Sequence, residues 1–385
     1  MSNSAIEEIL ASLVAIDTTS SKSNLRLIDF VRSYLAGLGV ESELIFSADR
    51  QKANLWAAIG AAGPGGLILS GHTDCVPVDG QDWTTDPFTL SEREGRLYGR
   101  GTADMKGFLA CVLAAVPDII AGGSRRPVHI AFSYDEEIGH LGVRGLTAEL
   151  RRRGAKPGFC VVGEPTMMGI VIGHKGGRSY RCRVTGSSGH SSLAPRAVNA
   201  IEYAAELITE IRRLSADLAT GPIDTAFDVS HSTISTGLIE GGSAINMVPH
   251  TCSFVFEYRN LIAVSQDAIF ARIERYAKDM LEPRMKAIVA DSGISFEPLY
   301  DYPAHEIDPH HPEVLRVKRI LGRVDDSKVA YGTEAGAFSR DLGVPTVICG
   351  PGSIAVAHKA DEAIEREQLQ ASHEFIVQLA ASECP

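Results

Sequence analysis

The sequence has few cysteines and no long apolar run, the features typical of disulfide-bonded and of membrane-spanning proteins. Its 385 residues contain only seven cysteines, scattered and without a Cys-x-x-Cys spacing. An odd number of scattered cysteines argues against a disulfide framework and predicts reduced thiols in the core. No apolar run approaches the roughly eighteen residues that a membrane span needs. We therefore expect a soluble protein with no membrane partner.

The sequence also lacks an excess of positive charge. Its 37 Lys and Arg residues against 48 Asp and Glu residues give a formal net charge of −11. Nucleic-acid binding needs a basic face that neutralises phosphates, and none is visible, so no nucleic-acid partner is expected. The opening residues, Met-Ser-Asn-Ser-Ala-Ile-Glu-Glu-Ile-Leu, have neither a basic region nor a small-residue cleavage site. We expect no secretory signal and a cytoplasmic location.

The sequence does contain an alternation of short strands and amphipathic helices in its first part. The predicted strands are 40–47, 54–59, 67–71, 128–134 and 159–162, with helices at 106–120 and 141–153 between the later ones. The same pattern returns from about residue 300. Alternation of this kind predicts an α/β fold with a mostly parallel sheet covered by helices on both faces.

The middle of the chain has a different pattern. After Glu164, two strand-rich blocks are each followed by a long amphipathic helix, at 197–214 and 266–281. This arrangement predicts a smaller inserted α+β domain, with a four-stranded antiparallel sheet that carries two helices on one face. We predict that the insertion covers residues 176–299 and that the first domain is discontinuous, over 1–175 and 300–385.

Acidic and histidine residues follow the ends of the predicted α/β strands. They are His72, Asp74, Asp104, Glu136, Glu137, Glu164 and His358. The carboxyl ends of the strands are where open α/β sheets bind their ligands. A dinuclear metal site needs one bridging carboxylate, plus a histidine and a carboxylate for each ion. Five residues supply that set, namely His72, Asp104, Glu137, Glu164 and His358.

Two carboxylates are left for supporting roles. Asp74, two residues after His72, is expected to accept the far imidazole N–H and fix the tautomer. Adjacent side chains of an extended segment point opposite ways, so Glu136 and Glu137 are not expected to bind the same ion. The spare carboxylate is a candidate general base. Taken alone, Asp135-Glu136-Glu137 is more typical of a solvated acidic turn, but the matching positions of the other candidates favour the catalytic interpretation.

Four sequence blocks resemble the signature blocks of the M20 metallopeptidase family and occur in family order. They are Gly-His-Thr-Asp-Cys-Val-Pro at 71–77, Gly-Arg-Gly-Thr-Ala-Asp-Met-Lys-Gly at 99–107, Asp-Glu-Glu-Ile-Gly at 135–139 and Gly-Glu-Pro at 163–165, with Ala-His at 357–358. The resemblance spans nearly the whole chain. It implies a hydrolase with two zinc ions, with Asp104 as the bridging ligand and Glu136 as the base. It assigns His72 and Glu164 to one ion and Glu137 and His358 to the other.

The resemblance implies further properties of both domains. It makes the discontinuous domain the zinc-binding catalytic domain and the insertion a lid that forms a homodimer. In the Gly/Ser-rich loop 186–192, His190 resembles the histidine that reaches across the dimer and helps to bind the oxyanion. Asn246 and Arg259 stand at family positions for substrate contact, and an arginine fork suits a substrate carboxylate. Histidine and carboxylate ligands also accept Co²⁺ or Mn²⁺.

Within the family, the sequence looks most like the acetylornithine deacetylases. The blocks that carry this likeness are 174–176, 332–335 and 350–362. It implies hydrolysis of N2-acetyl-L-ornithine to L-ornithine and acetate, a step of arginine biosynthesis. The succinyl-diaminopimelate desuccinylases are close behind, and another N-acyl-amino-acid deacylase or peptidase is a further alternative. A non-catalytic binding module is the remote alternative, because such proteins usually lose a ligand or the base and none is missing here.

The expected substrate needs an anchor for its distal ammonium. We predict that Glu334, beside Thr333, forms this part of the substrate site, opposite the cationic anchor Arg259. The alternative is that Glu334 caps the helix that begins near Ala335, where a carboxylate is favoured by unpaired N–H groups. Ala355-Val356, just before the candidate ligand histidine, departs from the polar residues expected in a deacetylase. The exact acyl amino acid therefore stays open from the sequence.

Overall fold

The computed structural model describes residues 3–382, which divide into two compact units. Unit 1 comprises the chain up to Gly173, His305–Lys328 and the chain from Thr333 onward; unit 2 comprises His174–Ala304 and Val329–Gly332. The predicted insertion, residues 176–299, falls inside unit 2. Six of the seven cysteines are buried free thiols, as expected. The seventh, Cys384, lies outside the described residues.

The strands and helices have the following bounds. The strands are β1 Ser42–Phe46, β2 Ala53–Ile59, β3 Leu67–His72, β4 Ser91–Arg93, β5 Arg96–Tyr98, β6 Val128–Ser133, β7 Phe159–Pro165, β8 Val171–His174, β9 Gly176–Thr185, β10 Gly189–His190, β11 Thr233–Gly241, β12 Met247–Val248, β13 Thr251–Asn260, β14 Gly293–Tyr302, β15 His305–Glu306, β16 Ser327–Val329, β17 Thr346–Gly350 and β18 Ala363–Glu365. The helices are α1 Asn3–Val14, α2 Leu25–Gly37, α3 Gly107–Gly122, α4 Leu141–Arg152, α5 Ala200–Ala219, α6 Gln266–Arg275, α7 Glu282–Ile288, α8 Pro312–Leu321, α9 Ala335–Leu342 and α10 Arg366–Ala381. Shorter helical turns cover Thr102–Lys106, Ser191–Arg196 and Tyr276–Leu281.

The large sheet confirms the α/β prediction, with parallel strands at its centre and antiparallel pairs beside them. Its strand order is β1-β2-β6-β3-β7-β17-β8-β15, with β16 beside β8. The pairs β6–β3, β3–β7 and β7–β17 are parallel, whereas β1–β2, β2–β6 and β17–β8 are antiparallel. Neighbouring strands such as β1 and β2 are joined by a short turn, and only an antiparallel pair allows such a short connection. The candidate site lies at the carboxyl ends of these central parallel strands.

Helix α3 is the apolar centre of unit 1. With the turn before it, α3 forms the helical segment Thr102–Gly122, whose 21 residues and hydropathy of 1.6 would suit a membrane span by length and composition. However, 72% of its most apolar window is buried inside the protein. The helix packs against α1 and α10 and against the sheet. A buried position of this kind is typical of a core helix, which needs to be hydrophobic all round.

Unit 2 contains an antiparallel sheet with the order β11-β13-β9-β14. Burial alternates along β13, where Cys252, Phe254, Phe256 and Tyr258 are buried. This alternation is typical of a sheet with one face on a core and the other in solvent. The buried face shares a hydrophobic cluster with residues of α5 and α6. The four strands and the two long helices agree with the inserted α+β domain that the sequence predicts.

Candidate metal centre

The carboxyl ends of the central strands carry the candidate metal ligands. His72 ends β3 and Glu164 lies near the end of β7. Glu137 follows β6 in a turn, and His358 follows β17. Asp104 lies in the turn Thr102–Lys106 that leads into α3, where its own backbone angles (φ −126°, ψ 92°) are not helical. Because neighbouring parallel strands end at the same edge of a sheet, these five side chains converge there.

The five side chains form two donor groups that share one carboxylate. Ligand atoms of His72, Asp104 and Glu164 all lie within 4.8 Å of one another, and so do those of Asp104, Glu137 and His358. Asp104 Oδ1 lies 3.0 Å from His72 Nε2. Asp104 Oδ2 lies 3.2 Å from His358 Nε2, which is also 3.1 Å from Glu137 Oε2. Asp104 therefore connects the two groups through its two oxygens.

The two groups fit a pair of divalent cations. Each offers one imidazole nitrogen and two carboxylates, a set typical of zinc and of related metals. Oε1 of Glu164 is buried and has no hydrogen-bond partner within residues 3–382. A buried polar atom without a partner is destabilising. A cation held by His72, Asp104 and Glu164 would satisfy this oxygen.

The electrostatics of the site also favour cations. Burial, followed by the charge of Glu164, raises the pKa of Glu136 well above its ordinary value. Burial and the charge of Asp104 do the same to the pKa of Glu164. Burial alone would raise the pKa of Asp104 too, but hydrogen bonds with His358 and His72 outweigh it and lower that pKa. The carboxylates of the site are thus crowded in a buried region, where a divalent ion would relieve their mutual repulsion.

Asp74 supports the turn that carries Glu136 and Glu137. Its carboxylate accepts hydrogen bonds from the backbone N–H groups of Glu136 at 3.1 Å and Glu137 at 3.3 Å, and from Ser20 Oγ at 2.8 Å. The expected bond from the imidazole of His72 goes instead to the backbone carbonyl of Asp74, at 3.0 Å from Nδ1. The carboxylate itself is 3.6 Å from Nδ1, beyond hydrogen-bond range. The prediction about the carboxylate is therefore corrected, because the backbone carbonyl of the same residue lies closer to Nδ1 and takes the bond.

Glu136 belongs to neither donor group. Its Oε1 lies 3.3 Å from Nε2 of His140, and the side chains of both residues are largely buried. The neighbouring Glu137 contacts His358 instead. The structure thus separates the two adjacent carboxylates, although they lie in a turn after β6 and not in the extended segment that the sequence prediction assumed. His140 was not among the residues singled out from the sequence, although its position four residues after the candidate base is a usable signal.

Thr333 and Glu334, predicted to contact the substrate, are buried in unit 1. Glu334 is 1% exposed, and its carboxylate accepts hydrogen bonds from Ser133 Oγ at 2.6 Å and Ser70 Oγ at 3.4 Å. Burial raises the pKa of Glu334 to about 7. Thr333 Oγ1 accepts from the N–H of Ala335 at the start of α9. The side chain of Glu334 makes no cap hydrogen bond to α9 and points instead to the ends of β3 and β6.

The remaining candidates, His190, Asn246 and Arg259, all belong to unit 2. His190 is exposed, and its Nδ1 lies 2.7 Å from Ser192 Oγ. Its strand β10 pairs with β12, which directly follows Asn246. Arg259 lies elsewhere, at the end of β13, where its guanidinium bonds Glu257 at 3.1 Å. The structure therefore brings His190 and Asn246 into one small ribbon and leaves Arg259 apart from it.

Comparison with known proteins decides the family. The model of peptidase family M20/M25/M40 matches residues 68–382. This range includes all seven acidic and histidine residues that follow the predicted strands, from His72 to His358. The chain belongs to this family. An acetylornithine deacetylase from Proteus mirabilis (strain HI4320) is 37% identical over 377 residues, which cover 97% of this chain and 94% of the relative. The M20 resemblance seen in the sequence is confirmed, and the protein is a hydrolase.

Solved structures of M20 peptidases share the fold. The aminopeptidase PepT from Bacillus cereus ATCC 10987 superimposes with a TM-score of 0.76 at 21% identity, covering 100% of this chain and 99% of the other. A dinuclear metal-binding peptidase of the M20 family from Bacillus subtilis gives a TM-score of 0.68 at 14% identity, covering 99% and 98%. At such identities these two likenesses establish the fold alone.

Proposed function

We propose that this M20 hydrolase is a dinuclear zinc amidohydrolase that converts N2-acetyl-L-ornithine to L-ornithine and acetate. The observation that carries the metal part is the carboxylate of Asp104, whose two oxygens lie 3.0 Å from His72 and 3.2 Å from His358. The 37% identity to an acetylornithine deacetylase over 97% of the chain supports the substrate. The reaction would serve arginine biosynthesis, in the cytoplasm.

His72, Asp104 and Glu164 would hold one zinc ion, and Asp104, Glu137 and His358 the other. Zinc at these positions would supply polarisation of the scissile carbonyl and a lowered pKa of bound water. A side chain of the protein must then take up the proton that the water releases. Glu136, which neither donor group uses, would accept that proton on its carboxylate and deliver it to the departing amine. The imidazole of His140 orients this carboxylate from 3.3 Å away.

Asp74 and Ser20 would keep the catalytic turn in place. The hydrogen bonds from the N–H groups of Glu136 and Glu137 to Asp74 fix the backbone that presents both side chains. Ser20 adds a third bond to the same carboxylate. Because proton transfer requires the base within hydrogen-bond reach of its substrate, a firmly held turn directly serves the reaction.

Unit 2 would contribute substrate contacts and the dimer interface. We assign His190 as an oxyanion donor and Asn246 and Arg259 as substrate contacts, with Arg259 binding the substrate carboxylate. Strand β11 is an edge of its sheet and exposes Leu238 and Ile239. An exposed apolar edge strand is a common site of association, which supports a homodimer. Sedimentation at micromolar concentration should show a dimer, and a monomer alone would contradict this assignment.

A substrate panel tests the proposed reaction. The zinc-loaded enzyme is assayed with N2-acetylornithine, acetylmethionine, acetylcitrulline, succinyl-diaminopimelate and a dipeptide. We expect kcat/KM to be highest for N2-acetylornithine. A preference for any of the other four compounds would overturn the substrate assignment, and hydrolysis of none of the five would overturn the amidohydrolase assignment.

A further inference from the structure

Arg100 and Glu362 form a buried ion pair beside the candidate metal centre. Arg100 is 0% exposed and Glu362 is 1% exposed, and Arg100 Nη1 lies 2.7 Å from Glu362 Oε2. Neither residue belongs to a donor group or to the proposed proton path. Burying two charges is unfavourable unless additional hydrogen bonds satisfy them. The bonds that these two residues make therefore indicate their role.

Glu362 holds the turn that presents Asp104. Its Oε1 accepts from the backbone N–H groups of Ala103 at 2.9 Å and of Asp104 itself at 3.0 Å. Its Oε2 accepts from the N–H of Gly101 at 2.9 Å, in addition to the guanidinium of Arg100. One carboxylate thus binds three amide groups of a single short turn. The backbone position of Asp104 depends directly on this side chain.

Arg100 and Gln81 hold the loop that presents His358. Arg100 Nη1 donates to the carbonyl of Lys359 at 3.2 Å, and its Nη2 donates to Gln81 Oε1. Gln81 Nε2 in turn donates to the carbonyl of His358 at 3.1 Å. The side chain of His358 is half exposed and its φ is +62°. A half-exposed histidine in this uncommon conformation relies on its backbone bonds for position.

We propose that Glu362, Arg100 and Gln81 are positioning residues that set the spacing between Asp104 and His358. They connect the two ligand-bearing segments through one continuous set of hydrogen bonds. The donor group of Asp104, Glu137 and His358 depends on both segments, whereas the group of His72, Asp104 and Glu164 depends on one. Loss of the connection should therefore weaken the second group more than the first. This inference rests on the metal centre of the proposed function.

The decisive variant is Gln81→Glu. It keeps an oxygen for the bonds from Arg100 and from the indole of Trp83, but it loses the N–H that donates to the carbonyl of His358. Zn²⁺ affinities are measured by competition with a chelator of known affinity. We expect one Zn²⁺ to bind as in the wild type and the second to bind about tenfold to a hundredfold less tightly, the usual effect of losing a residue that orients a ligand.

Two further variants separate positioning from general stability. Glu362→Gln leaves Arg100 without its counter-charge and should weaken the second Zn²⁺ at least as much; if it does not fold, Gln81→Glu decides. Asp326→Asn is the matched control, because it breaks the partly buried ion pair with Lys318 in the same unit. This control should lower Tm without changing either Zn²⁺ affinity.

Unchanged binding of both Zn²⁺ ions by Gln81→Glu would overturn the proposal. An equal weakening of both ions, or the same pattern in Asp326→Asn, would overturn it as well. A different result would contradict the proposed reaction alone. If the wild type binds two Zn²⁺ ions but hydrolyses none of the acyl amino acids, the reaction is wrong and the positioning role is unaffected.

Discussion

The carboxylate of Asp104 lies between two imidazoles, with Oδ1 3.0 Å from His72 Nε2 and Oδ2 3.2 Å from His358 Nε2. Each oxygen thus faces a different donor group. A single carboxylate in this position makes the two groups one centre, so metal binding by either group depends on Asp104. Removing Asp104 should affect both groups, whereas removing either histidine should affect mainly one.

Zinc content of variants should follow this arrangement. We expect Asp104→Ala to retain almost no zinc after dialysis, because both groups lose a ligand. His358→Ala should retain about one ion per chain, because His72, Asp104 and Glu164 stay intact. Elemental analysis, with circular dichroism as a check on folding, measures both. Two ions on a folded Asp104→Ala protein would contradict the shared role of this carboxylate.

Glu136→Gln separates metal binding from proton transfer. Because Glu136 lies outside both donor groups, the variant should keep its zinc and lose about 10² to 10⁴ in kcat, the usual contribution of a general base. Steady-state kinetics and zinc analysis on the same sample test this. The exposed Glu41→Gln serves as a control and should behave as the wild type. Near-normal turnover of Glu136→Gln would remove Glu136 from the proton path.

Glu334→Gln tests the revised view of this residue. Its carboxylate is buried and bonded to Ser133 and Ser70, so it is not exposed to bind a substrate ammonium. We expect kcat/KM to fall by a similar factor for N2-acetylornithine and for acetylmethionine, which has no distal charge. A selective rise of KM for N2-acetylornithine of roughly tenfold, the value of a lost charge-assisted hydrogen bond, would restore the ammonium-binding role.

His129 should contribute a loss of stability in mild acid. This ring stacks on Trp56 at 4.5 Å, and burial lowers its pKa to about 4. Because the pKa in the unfolded chain is about 6.5, the unfolded state binds the proton first, and stability is lost as the pH falls from about 6.5 towards 4. His129→Phe keeps a stacked ring but cannot be protonated.

Urea unfolding at pH 7 and pH 5 checks this expectation. The drop in unfolding free energy between the two pH values should be smaller for His129→Phe than for the wild type. Other groups contribute equally to both proteins: His305, whose pKa burial lowers to about 4, adds a loss of stability, and Glu334, whose pKa burial raises to about 7, adds a gain. An identical drop in both proteins would show that His129 does not contribute.

The central strands and their ligands could be predicted because their local patterns are strong. The apolar run at Leu67–Leu69 is buried, as a strand covered on both faces must be, and His72 follows it at the sheet edge. Asp104 and Glu164 likewise follow local strand or turn signals. Where a ligand lies at the end of a strand, the topology of a parallel sheet brings it to the site without further information.

Other features depend on contacts that no local pattern reveals. Arg100 and Glu362 are 262 positions apart, and each alone resembles an ordinary surface charge. The burial of Glu334 follows from where α9 packs, which the spacing of its residues does not determine. The antiparallel flanks of the large sheet were missed for a similar reason, since strand order is set by tertiary packing.

Anomalous diffraction at the zinc edge from zinc-loaded crystals would locate both ions relative to Asp104. We expect two peaks, one beside His72 and Glu164 and one beside Glu137 and His358, with Asp104 bound to both. A single peak, or two peaks that do not share Asp104, would contradict this arrangement.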